Sequence, residues 1–169
     1  MTKADAVTLD AQDMPVDAAQ AYEAAIAASD ADFDIFMNLA VLYFVCVDGG
    51  YATHHGLSQE FINYAWERAY EVLDEAESKF GQQSEITFWR HYFRFVVLGE
   101  APFIETGKYL LQSGTSLVPS FYLFTSPGGD PYRPQALQLL ERVKEGKTAK
   151  QRYIRSILAK RLKVINAPE

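Results

Sequence analysis

The chain has 169 residues, of which 49% are hydrophobic and 22% charged, with a formal net charge of −6. That balance excludes a wholly disordered chain, and no uncharged apolar run reaches the roughly 18 residues of a transmembrane helix. The N-terminal MTKADAVTLDAQD has no apolar core of signal-peptide length, and the single cysteine, Cys46, cannot form an internal disulfide. Both features lead us to expect a cytoplasmic protein with no membrane partner.

The charge is uneven. Residues 1–85 carry 16 Asp/Glu against Lys3, Arg68 and Lys79, whereas residues 86–169 carry 13 Lys/Arg against 6 Asp/Glu. Solvated helix faces of opposite sign account for this, and so does the steering of a charged partner.

Residues 1–14 are polar, rich in Ala and Asp, and lack sustained periodicity, which predicts a flexible N-terminal tail. Residues 15–169 are predicted to form a single helical domain. Pro15 opens an alanine-dominated helix to about Ala28. Asp32 caps a second, to about Val47, whose run Val41 to Val47 suggests burial on more than one side. Asp48-Gly49-Gly50 predicts a turn and then a loop through Leu57. Ser58 caps a long helix to Phe80, stopped by Gly81. Ser84 opens a helix to Leu98 with the densest aromatic content in the chain, and Gly99 ends it. Pro102 begins another, to about Gln112.

Val118 to Phe124 fits a short helix or a strand, and helix wins because a lone strand would have no pairing partner. After the SPGGDP loop come a helix from Pro134 to Lys144 and a last one opened by Thr148. That last helix carries Ile154, Ile157, Leu158, Leu162 and Ile165 on one face. The expected fold is all-α, with seven or eight helices and no sheet.

The stretch from Ala18 to Phe44 resembles a junction between two tetratricopeptide (TPR) repeats. Ala18, Tyr22 and Ala25 stand where the family's second helix places small, aromatic and small residues. Phe36, Leu39, Ala40 and Tyr43 stand where the next first helix places a large aromatic, Leu, a small residue and Tyr, with Asn38 also usual. Phe88 and Phe95 give a weaker echo, in which His91 and Tyr92 depart from the pattern. The resemblance implies stacked antiparallel helical hairpins and a protein-binding groove.

Chemistry-bearing motifs are few. His54-His55 has no Cys, Asp or Glu at a recognised zinc spacing, so both are expected as exposed loop histidines and no metal is expected. His91, within FWRHYFRF, is expected partly buried and hydrogen-bonded. Cys46 is expected as a buried, inert thiol. SPGGDP lacks the Lys-Ser/Thr sequel of a phosphate loop, and no nucleophile elbow occurs. These observations predict no catalytic residues and no cofactor.

Two features suggest a partner surface. Around the helix from Ser84 to Leu98 the aromatics exceed one core-facing stripe, which nominates Trp89, Arg90, Phe93 and Arg94 for an outward contact, together with the Val47 to Leu57 loop; packing of the rings between hairpins on both sides is the alternative. Residues 133–163 carry ten Lys/Arg against Glu141 and Glu145, and Arg152, Arg155 and Lys163 flank the apolar face of the last helix. A non-catalytic protein-binding scaffold follows, with an inhibitor or immunity-type protein as its narrower form. Nucleic-acid binding through the basic end is the alternative, against which the acidic first half argues by repelling phosphate. A small-ligand pocket lined by Arg90, His91, Tyr92 and Arg94 is a third.

Overall fold

The structure is a computed structural model and describes residues 2–165. Met1 and residues 166–169, the outer ends of the expected tail and domain, lie outside the described residues. Among those described there are ten α-helices and no strand. They are α1 (Lys3–Ala11), α2 (Pro15–Ala27), α3 (Phe33–Cys46), α4 (Gly49–His54), α5 (Gln59–Phe80), α6 (Ser84–Leu98), α7 (Ile104–Ser113), α8 (Pro119–Thr125), α9 (Arg133–Val143) and α10 (Ala149–Ile165). A 3₁₀ turn covers Asp130–Tyr132. The chain divides into two compact units: residues up to 81 with 147–150, and residues 82–146 with those from 151 onward.

Two helices exceed the sequence expectation. The predicted tail contains α1, because Thr2 and Asp5 form a capping box: the Asp5 amide donates to Thr2 Oγ1 at 3.3 Å and the Thr2 amide to Asp5 Oδ2 at 2.7 Å. Ala6 and Asp10 then bury one side of it. The predicted 48–57 loop contains α4, because Asp48 acts as an N-cap and accepts the Tyr51 amide at 2.9 Å. Neither Gly49 nor Gly50 adopts positive φ.

In the first unit α1 packs on α2, α2 on α3, α3 along α5, and α4 on α3. Helix α3 is its centre, buried on nearly every side from Ile35 to Phe44, whereas Val45 and Val47 in the apolar run Val41 to Val47 are half-buried. Small residues line the packing of α2, with Ala18, Ala21 and Ala25 almost wholly buried, as is Ala40 on α3.

Polar groups are also enclosed. Arg68 forms a bidentate pair with Glu23 at 2.8 and 2.9 Å, and the Tyr43 hydroxyl donates to Glu23 Oε1 at 2.9 Å, which ties α5, α2 and α3 together. Hydrogen bonding to Glu23 raises the Arg68 guanidinium further above its ordinary value and keeps it charged. Asp10 accepts the Tyr22 hydroxyl at 2.9 Å and the amide of Ala149, the first residue of α10, at 2.8 Å. A buried carboxylate therefore sits on a helix N-terminus, where exposed amides and the dipole favour negative charge.

In the second unit α6 packs on α7, α7 on α8 and α8 on α9. Residues 118–124, ambiguous between helix and strand, lie in α8, with Pro119 in its first turn and every residue from Pro119 to Phe124 buried. Gly107 permits the close passage of α7, since a Cβ there would lie 3.1 Å from Leu123 Cδ2. Gly99 ends α6 in the left-handed conformation at φ 65°.

Candidate functional site

Phe88, Trp89, Tyr92 and Phe93 of α6 are interior, and Phe95 is half-buried. Trp89 and Phe93 are 0% exposed, which corrects the expectation that they form an outward pair. Trp89 packs on Phe121 at 5.8 Å between centroids, and its indole N–H donates to Glu85 Oε1 at 3.2 Å. Ser116 closes the other side of that carboxylate with a 3.2 Å bond from Oγ to Oε2. Phe88 touches Phe103, Phe121 and Tyr122, while the Tyr92 and Tyr153 hydroxyls meet at 2.8 Å. Burial, and then the facing Tyr153 hydroxyl, push the Tyr92 phenol up from its ordinary value, so it stays neutral. Rings from α8, α10 and the segment before α7 surround α6, so one inward stripe does not describe it.

The charged residues nominated with them divide. Arg90 is half-buried and engaged. Arg94 is exposed and pairs with Glu100, its Nε 2.8 Å from Oε1. Arg155 is half-buried, and its Nη1 donates to the carbonyls of Val143, Lys144 and Gly146 at 3.1, 2.9 and 2.7 Å. Those carbonyls lie at and just past the end of α9, so Arg155 caps a helix with its cation on the negative pole of the dipole. It is thus committed within the fold rather than offered outward. Arg152 is half-buried and engaged, and Lys163 is exposed.

A surface absent from the sequence expectation lies next to the buried aromatics. Val96, Val97 and Leu98, the last three residues of α6, are 45%, 39% and 57% exposed. Ala101 and Pro102 continue the exposed apolar run, with the Arg94–Glu100 pair beside it in sequence. The sequence carries the signal as VVLGEAP, three large apolar residues running into a helix stop, but the adjacent aromatic block masks it.

Two of the three histidines, His55 and His91, differ from the burial expected of them. His54 is exposed in the last turn of α4, but His55 has a side chain only 12% exposed and 3.0 Å from Asp13 Oδ2. The α1–α2 turn, read as tail, supplies that carboxylate. His91 is exposed rather than partly buried and stacks on Phe103 at 5.3 Å. Cys46 is buried, and burial, then the charges of Asp10 and Asp13, push its thiol up to about 12. Among the described residues no three His, Cys, Asp or Glu are grouped to hold a metal ion, and no helix is long and apolar enough to cross a membrane.

No family model, curated protein or solved structure matches the chain.

Proposed function

We propose that the chain is a non-catalytic protein-binding scaffold with TPR-like stacked helical hairpins in its first unit. What supports the hairpin arrangement is the packing order: α1 with α2, α3 with α5, and α2 against α3. In that reading α1 is the first-helix partner of α2, and α4 is an insertion between the two helices of the second hairpin. Small residues at Ala18, Ala25 and Ala40 are buried where the TPR resemblance requires close approach.

The observation that carries the binding function is the exposed end of α6. Three consecutive large apolar side chains left in water are a surface suited to burial by a partner. The contact therefore moves from Trp89 and Phe93 to Arg94, Val96, Val97 and Leu98. In the narrower form, an inhibitor or immunity-type protein, the partner is basic and uses the acidic first half.

The test is capture from an extract of the native host with the full chain and with a Val97→Ser, Leu98→Ser double variant, followed by mass spectrometry. A protein retained by the wild type and lost by the folded double variant supports the proposal. A retained set identical for both chains sinks it. The inhibitor form fails if the captured protein is acidic or works undiminished when bound.

A further inference from the structure

The exposed apolar run at the end of α6 is anchored on its far side. Gly99 turns the chain in the left-handed conformation at φ 65°. Beyond it the Phe103 amide donates to the Tyr122 hydroxyl at 2.9 Å, and the Phe103 ring lies flat on Tyr122 at 4.2 Å between centroids. His91 stacks on the same Phe103 ring at 5.3 Å. The run from Val96 to Pro102 is therefore held between α6 and a pinned Phe103. A surface ordered in advance loses little freedom on docking.

Its charges are balanced about its centre. Counting from Val97, Arg94 lies three residues before and Glu100 three residues after, with Val96 and Leu98 one residue to either side. Arg94 and Val97 are i, i+3 neighbours, both exposed. Arg94 Nη2 reaches Glu100 Oε1 at 2.6 Å, so the two charges border one run. Their side chains are 54% and 39% exposed, and an ion pair so open to water contributes little where it stands.

That balance favours one kind of partner. A two-fold contact sets residue i of one copy against j of the other, and j against i. With the axis at Val97, each Arg94 meets the Glu100 of the other copy and each Val96 meets a Leu98. One ion pair within each chain becomes two between chains, and no charge is left unmatched. An acidic surface would instead set carboxylates against Glu100, and a basic one cations against Arg94. The last turn of α6 has no basic residue of its own, so an incoming Arg94 also meets the negative pole of that helix.

We propose that the α6 end binds a second copy of this chain, in a two-fold contact centred on Val97 with Arg94 and Glu100 exchanged between copies. This rests on the α6 end being the binding surface, and names what it binds. The apolar run is far smaller than the roughly 20–30 residues a side of a standard interface. The net charge of −6 also sets copies against each other. The pairing is accordingly reversible and concentration-dependent.

The test is sedimentation equilibrium of the full chain over a concentration series. The mass should climb from monomer toward dimer, and Leu98→Ser should weaken the association about tenfold or more. A monomer mass persisting to about 1 mM chain overturns the proposal.

Charge exchange separates a contact between copies from the pair within each. Arg94→Glu borders the run with two carboxylates and Glu100→Arg with two cations, so each alone should stay monomeric where the wild type pairs. Mixed in equal amounts the two variants should associate, every charged contact being Glu with Arg, although both proteins remain net negative. Variants that each pair as well as the wild type, or a mixture that stays monomeric, contradict the proposal. Capture from the host extract tells this failure from failure of the scaffold reading. A monomeric chain that retains a different protein through Val97 and Leu98 keeps the surface and removes the second copy, whereas one that retains nothing through them removes both.

Discussion

The two units reach a buried interior by different means. In the first, alanines let α2 and α3 approach, and the space left is crossed by polar networks: Asp10 with Tyr22 and Ala149, and Glu23 with Tyr43 and Arg68. In the second, rings do the work, with Phe88, Trp89, Tyr92, Phe93 and Phe121 filling the centre. Aromatic and Arg side chains typify binding hot spots, yet Phe88, Trp89, Tyr92 and Phe93 are core, and the exposed run that ends α6, Val96 to Leu98, is aliphatic. Composition alone does not separate the two roles, because a ring is as suitable for filling an interior as for anchoring a partner.

The comparison can be broken most forcefully at Trp89. Trp89→Ala removes the largest fully buried side chain and the indole donor to Glu85, and should cost about 3–5 kcal/mol in denaturant unfolding. A loss below about 1 kcal/mol would mean that the rings of the second unit are not its interior.

Next comes Asp10→Ala, which leaves the Ala149 amide and the Tyr22 hydroxyl without this acceptor. We expect a cost of about 2–4 kcal/mol by thermal unfolding, because buried donors are deprived of their partner. A neutral outcome would remove the polar half of the comparison.

A sharper probe of the alanine packing is Ala40→Leu, whose added carbons have no room at a site with 0% exposure. Overpacking should cost about 1–3 kcal/mol in the same assay. Unchanged melting would also remove the physical basis of the TPR-like stacking.

The smallest effect runs the other way. Ser29 is exposed at φ 58° between α2 and α3. Ser29→Gly should raise stability by about 0.5–1 kcal/mol, since glycine has no Cβ to clash in that conformation.

Local signals made most helices legible. Asp32 and Ser58 cap their helices by accepting the amides of Ile35 and Phe61, and Gly99 stops α6 in the left-handed conformation. Helix α1 was missed because its stability rests on a capping box and on burial of Ala6 and Asp10, features that weak periodicity hides. Helix α4 was missed because an aspartate before two glycines serves a turn and an N-cap equally well.

The candidate surface was less legible. Whether Trp89 faces out depends on Phe121, and whether its neighbours Phe88 and Tyr92 do depends on Phe103, Tyr122 and Tyr153, rings brought to α6 from later in the chain. The commitment of Arg155 depends on the end of α9 lying beside it. Side-chain spacing along one helix carries no information on either.

The central claim, that the α6 rings are interior, is tested most directly by Trp89 fluorescence. The chain has two tryptophans, Trp66 and Trp89, so Trp66→Phe leaves Trp89 as the sole indole emitter. Its emission should be blue-shifted and nearly insensitive to iodide in the folded protein, becoming red-shifted and quenchable on denaturation. Iodide quenching of the folded variant as efficient as that of free indole would place Trp89 in water and contradict the account.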